Sequence, residues 1–409
     1  MSLSRCFALS SLVLPLAIGS ASGLMLDAVR PTIAWAQTDS EADRLLDEGI
    51  ELYRISEWRQ ALDTWQQALE LYRQAGNRTG EAIILGNIGN VYQSLGDYPQ
   101  ALDYQEQSLT LKRELGDRAG EAITLGNIGN VYQVLRDYPQ ALEYQEQSLV
   151  LTRELRDRAG EAITLGNIGI IYDLLGDYPQ ALDYYEQSLA LKRELGDRAG
   201  EAKTLGNIGI VYDLLGDYPQ ALDYQEQSLA LKRELGDRAG EAITLGNIGI
   251  IYRLLGDYSQ ALDYYEQSLV LTRELGDRAG EAITLGNIGI IYRLLEDYPQ
   301  ALDYYEQSLA LKRELGDRAG EAKTLGNMGY LFEAQSEPQL AIIFFQEAVN
   351  IYEEFRERHQ SFEQDNQTTF TAAVEDTYRK LADLLLQQDR ILEAQQVLDL
   401  LKVQELDNS

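Results

Sequence analysis

Asn87, Asn127, Asn167, Asn207, Asn247, Asn287 and Asn327 stand 40 residues apart, each closing an L-G-N word. An amide both donates and accepts hydrogen bonds, so this ladder can hold a polar ligand or tie one repeat to the next, and the sequence leaves both uses open. At helical spacing the same face carries residues three beyond each asparagine: Asn90 and Asn130, then Ile170, Ile210, Ile250 and Ile290, then Tyr330. Three further on it carries Gln93, Gln133, Asp173, Asp213, Arg253, Arg293 and Glu333. Four before the ladder, Ile83, Ile123, Ile163, Ile243 and Ile283 are interrupted by Lys203 and Lys323. The face is therefore zoned: polar first, apolar with an acidic rim in the middle, apolar with a basic rim later. Drift after recent duplication is the rival explanation for these differences.

Catalytic material is scarce. The sole histidine is His359 and the sole cysteine is Cys6, too few for a clustered metal site or a serine or cysteine nucleophile with its base. The G-N-I-G word lacks the lysine of a phosphate-binding loop, and no strand precedes it. Carboxylates such as Glu154, Asp157 and Glu161 recur in every repeat and read as helix caps and solvent pairs. No acidic loop of calcium-binding pattern exists. These residues predict no enzyme, no cofactor and no metal.

The 409 residues carry 35 basic and 66 acidic side chains, a formal net charge of −31. That balance disfavours nucleic acid and anionic membrane surfaces as partners, and is compatible with a protein or peptide ligand of basic character. The opening segment has Arg5, an apolar run from Leu12 to Leu26, and Ala34-Trp35-Ala36 as a cleavage site before Gln37. Residues 1–36 are read as a signal peptide, with an uncleaved N-terminal anchor as the alternative. The protein is expected to be exported to the periplasm or beyond, without disulfides and with no embedded membrane domain after cleavage.

The elements that position the ladder repeat with it. From residue 37 to 360 the chain divides into eight units, 41–80, 81–120, 121–160, 161–200, 201–240, 241–280, 281–320 and 321–360, the signature of a solenoid. Each unit predicts two helices, for example about Glu121–Leu135 and Tyr138–Leu155. Asp137 is expected to cap the second, with Gln140 completing a capping box and Pro139 in the first turn. Gly116 or its equivalents should end a helix in the left-handed region, where Arg156 must do the same or end its helix differently. Gly129 is expected to meet Ala141 and Ser148, and Gly126 to keep a helix face shallow. Tyr132, Tyr138, Tyr172 and Tyr178 are read as core, whereas Gln145, Tyr185, Gln225, Tyr265 and Tyr305 are read as a partly exposed site between units. Residues 361–377 are a linker or added helix, and 378–406 a ninth, degenerate pair.

Leu125, Gly129, Tyr132, Asp137-Tyr138, Ala141 and Leu149 match the helix-pair pattern of tetratricopeptide (TPR) repeats. With LGNIG and GDRAGEA, the 40-residue form resembles the repeats of kinesin light chains and of the Leu-Gly-Asn adaptors of spindle orientation. The resemblance implies an all-α, right-handed superhelical solenoid whose first helices line a concave groove. It also implies that the ladder asparagines hydrogen-bond an extended peptide backbone. Lys203 with Asn207 is the nearest fragment of the family's carboxylate clamp, too incomplete to predict binding of a peptide's C-terminus.

The tail resembles the segment joining TPR repeats to a CHAT peptidase domain in bacterial, especially cyanobacterial, proteins. The leading expectation is a non-catalytic scaffold that binds a peptide or protein segment in its groove. The alternatives are the regulatory half of a split or truncated CHAT-type system and a self-assembling structural solenoid. The sequence leaves the oligomeric state open.

Overall fold

A computed structural model describes residues 41–359 and 371–407. Their contacts divide them into two bodies, 41–211 and 212–407. The first holds α1 (Glu41–Arg54), α2 (Trp58–Ala75), α3 (Arg78–Leu95), α4 (Tyr98–Leu115), α5 (Arg118–Val134), α6 (Tyr138–Leu155), α7 (Arg158–Leu174), α8 (Tyr178–Leu195) and most of α9 (Arg198–Leu214). The second holds α10 (Tyr218–Leu235), α11 (Arg238–Leu255), α12 (Tyr258–Leu275), α13 (Arg278–Leu294), α14 (Tyr298–Leu315), α15 (Arg318–Ala334), α16 (Pro338–His359), α17 (Thr371–Gln387) and α18 (Ile391–Asp407). No strand occurs among the described residues. The helices pack as consecutive hairpins, α1 on α2 through α7 on α8 and α11 on α12 through α17 on α18. First helices of successive hairpins also touch, α3–α5–α7 in one body and α11–α13–α15 in the other. The cleavage site and residues 1–36 lie outside the described residues.

The caps explain the boundaries. Asp117 Oδ1 accepts from the Gly120 amide at 2.9 Å, so α5 starts at Arg118, ahead of the expected Glu121. Asp137 caps α6 through the Gln140 amide at 3.2 Å. The reciprocal half of a capping box is absent, because the Asp137 N–H already donates to the Tyr132 carbonyl at 3.0 Å. Gly116 closes α4 at φ 70°, and Arg156 takes the same left-handed place at φ 56°. Residues 371–377, expected in a linker or added helix, are the first turns of α17, while residues 360–370 lie outside the described ones.

Hairpins with the G-N-x-G word close over its second glycine, and the nearest partner is a residue that the sequence reading did not name. A Cβ at Gly129 would stand 2.9 Å from Gln145 Cγ, its nearest neighbour, and at the matched Gly289 one would also stand 3.3 Å from the Ala301 carbonyl, the counterpart of the expected Ala141. At Gly249 it would stand 2.6 Å from Tyr265 Cε1. Gln145, Tyr185, Tyr265 and Tyr305 are therefore buried inside their hairpins, and Gln225 is buried too, where all five were expected to be partly exposed. Tyr132, Tyr138, Tyr172 and Tyr178 prove half-buried instead of core. Tyr132 stacks on Tyr144 with ring centroids 5.5 Å apart, and Tyr172 on Tyr184 at 5.4 Å. The first glycine is looser: a Cβ at Gly246 would lie 3.9 Å from Ser268 Oγ, an ordinary contact.

These geometries predict opposite outcomes for two glycines of α11. Gly249→Ala must push the buried Tyr265 ring and should destabilise by about 1–3 kcal/mol. Gly246→Ala meets no obstacle and should be neutral or stabilising by up to about 1 kcal/mol through helix propensity. Thermal unfolding followed by circular dichroism separates the two.

Candidate functional site

In the first body the ladder grades from buried to open. Asn87 is fully buried at 0%, and neither atom of its amide finds a hydrogen-bond partner. Asn90 is also buried, and its Oδ1 accepts from Gln105 Nε2 at 2.7 Å. Asn127 is buried, while Asn130 is half-buried and accepts from Gln145 Nε2 at 2.8 Å. The same glutamine nitrogens donate to the carbonyls of Gly86 and Gly126, at 3.0 and 2.9 Å. Asn90 and Asn130, expected as a polar zone for a ligand, are thus engaged within their own hairpins. Asn167, Asn207 and Ile170 are half-buried, as are Ile210 and Asp173, and Lys203 is exposed. Asn207 lies near the Tyr185 hydroxyl of the preceding helix and partly offsets the rise that burial gives its pKa.

In the second body Asn247, Asn287 and Asn327 are half-buried, in line with Ile250, Ile290 and Tyr330. Helical spacing places Asp213, Arg253 and Arg293, all half-buried, on the same faces. Arg253 and Arg293 lie near the buried hydroxyls of Tyr265 and Tyr305 without reaching hydrogen-bond geometry. Burial pushes Tyr305 up to about 12, and Arg293 partly offsets that rise.

Lysines that the sequence reading passed over lie beneath this face. Lys112 and Lys192 donate to Thr124 and Thr204 at 2.9 and 2.8 Å in the first body. Lys232 and Lys312 donate to Thr244 and Thr324, each at 2.7 Å, in the second. Their signal was available: position-matched residues alternate between Lys112, Lys192, Lys232, Lys312 and the shorter Thr152 and Thr272. Among the described residues, no group of three or more His, Cys, Asp or Glu side chains is arranged to hold a metal.

Asp173 gives a measurable electrostatic consequence. Burial raises its carboxyl from an ordinary 3.8 to about 6. Between those values the folded state holds more protons than the unfolded chain, so stability falls as pH rises through this window. Asp173→Asn removes the penalty. The variant should exceed wild type at pH 7 by about 1–2 kcal/mol, allowing for partial solvent screening. The advantage should vanish below pH ~4. Urea unfolding at both pH values measures it.

Comparison with known proteins follows the geometry. Residues 47–114, 120–194, 200–274, 240–314 and 280–354 match the tetratricopeptide repeat family. No protein of curated function matches the chain. Among solved structures, a Rap protein complexed with Competence and Sporulation Factor is similar at 16% identity and TM-score 0.56, covering 90% of this chain and 98% of that one. The quorum sensor NprR from B. thuringiensis, in its apo form, is similar at 18% identity and TM-score 0.57, covering 89% and 97%. A STAND protein with a tetratricopeptide repeat sensor from Pyrococcus horikoshii reaches TM-score 0.59 at 15% identity, with 90% of this chain and 53% of that one covered. At such identities these likenesses show the fold alone. The capped hairpins, the glycine-centred packing and the family match over most of the sequence place the chain in the tetratricopeptide repeat family.

Proposed function

We propose that the protein is a non-catalytic scaffold that binds a protein or peptide segment along the inner faces of its first helices. One observation carries this reading: on α11, α13 and α15 the asparagines are half-open and flanked by Ile250, Ile290 and Tyr330. Arg253 and Arg293 stand on the same faces with no carboxylate oxygen within 4.0 Å. Apolar anchors beside amides and unpaired charges suit recognition of an extended or helical segment. The similar Rap structure is a complex with Competence and Sporulation Factor, which supports a binding role for such a fold. Asn87 and Asn90 take no part, being buried.

Export is part of the proposal and rests on the opening 36 residues alone. Among the described residues no helix is long and apolar enough to cross a membrane.

The test is an affinity capture from the cell envelope with the chain from Gln37, beside an Asn247/Asn287/Asn327→Ala variant whose fold is checked by circular dichroism. The expected result is a partner held by wild type and reduced about tenfold or more by the folded variant. Equal retention by both would move the asparagines to a purely structural role.

A further inference from the structure

In the second body the exposed side of the second helices is acidic. Asp223 and Glu226 on α10, Asp263 and Glu266 on α12, and Asp303 and Glu306 on α14 all face water. On α16 this pattern stops. The position-matched residues are Ile343 and Gln346, and Leu340 stands where α14 has Gln300. Ile343 is 50% exposed, and Leu340 is exposed as well.

A cleft opens beside these residues. α17 packs on both α16 and α18, and between those two lies a space of about 460 Å³. It is lined by the buried Ile342 and Val397, the half-buried Leu400 and, towards water, Ile343 and Gln396. Gln339 Nε2 donates to Gln388 Oε1 at 3.0 Å, which ties the start of α16 to the turn before α18. Leu392 stands next to the cleft: it lies four residues before Gln396, on nearly the same face of α18. At 81% it is the most exposed large apolar side chain among the described residues. The charges of α18 are matched locally. Arg390 Nε donates to Glu393 Oε1 at 2.7 Å, and Lys402 Nζ lies 3.7 Å from Asp399 Oδ1. Glu347 adds one carboxylate at the cleft.

Exposed apolar side chains grouped around a hollow mark a contact surface. A small molecule in the cleft would leave Leu340 and Leu392 in water, so the occupant is larger. A basic partner would be drawn to the acids of α10, α12 and α14, and the patch that has lost those acids suits a partner that is itself acidic. A second copy of this chain, with its net charge of −31, meets that condition. Like charges keep two copies apart along the acidic helices and not here. A protruding leucine beside a hollow on one face is also self-complementary. A two-fold axis places each leucine over the other copy's cleft, and such an arrangement closes at two chains.

We propose that α16 and α18 form the interface of an isologous dimer, in which Leu392 of each copy fills the other copy's cleft beside Ile343 and Val397. The proposal does not rest on the ligand assigned to the inner faces, whose residues lie on other helices.

Sedimentation velocity over a concentration series tests it, on the full chain and on the chain from Gln37, which excludes association through the opening segment. Two variants accompany wild type. Leu340→Gln/Ile343→Asp installs the residues that α14 carries at the matched positions, and Leu392→Gln alters a side chain that is mostly in water. Circular dichroism checks both folds. Wild type should reach the mass of two chains and stop there, and each folded variant should dimerise about tenfold or more weakly. A monomeric wild type overturns the proposal, as does a dimer that both variants leave unchanged or one that needs the opening segment. Masses growing beyond two chains overturn the two-fold arrangement in favour of an open, head-to-tail one. A monomer that captures a different protein, lost by Leu340→Gln/Ile343→Asp, assigns the cleft to that protein instead.

Discussion

The hairpins that carry the G-N-x-G word in each body depend on one close approach, its second glycine against a buried side chain from the second helix. There is no room for a methyl group at Gly129, Gly169, Gly249 or Gly289. The partner is Gln145 at the first of these, and Tyr185, Tyr265 and Tyr305 at the others. The choice of partner sets what stands on the inner face. Where the partner is glutamine, Asn90 or Asn130 receives its amide. Where it is tyrosine, Ile170, Ile250 or Ile290 stands in the asparagine's place. What looks on the sequence like a change in ligand chemistry is partly a change in how a hairpin is filled.

Around this constraint the charges are ordered. Glu161, with its side chain 12% exposed, receives Arg153 at 2.9 Å and Arg158 at 3.1 Å, so one carboxylate joins a helix end to the next helix start. Glu281 does the same between Arg273 and Arg278, at 2.8 and 3.2 Å. Each exposed pair adds little stability, but their regularity uses up the arginines at the hairpin ends. On the first helices Lys203, Arg253, Arg293 and Lys323 have no carboxylate oxygen within 4.0 Å. Net charge describes the whole surface, whereas recognition depends on which charges remain unmatched.

Much of this was legible in the sequence. The 40-residue period, two helices per unit, the aspartate caps and the left-handed helix ends all follow from local rules, down to Arg156 in a glycine's place. Depth was not legible. Helical spacing puts Asn90 and its position-matched counterpart Ile250 on equivalent faces, but does not say whether a neighbour covers them; Ile250 is half-open and Asn90 is not. The burial of Gln145 and Tyr185 depends on a glycine in another helix, which no single-helix pattern reveals. Lys192 reads as a surface residue until Thr204 and Gly166 are seen beside its ammonium.

The central claim is that binding occurs on the inner faces of the first helices, and site-specific photocrosslinking in the source cells tests it most directly. A photoreactive side chain would be placed at Ile250 or Ile290, and, for comparison, at Glu266 or Glu306, which are exposed on second helices. The account predicts partner adducts from Ile250 and Ile290 and none from the two glutamate positions. Adducts from Glu266 or Glu306 alone would contradict it and place the binding surface on the other side of the hairpins.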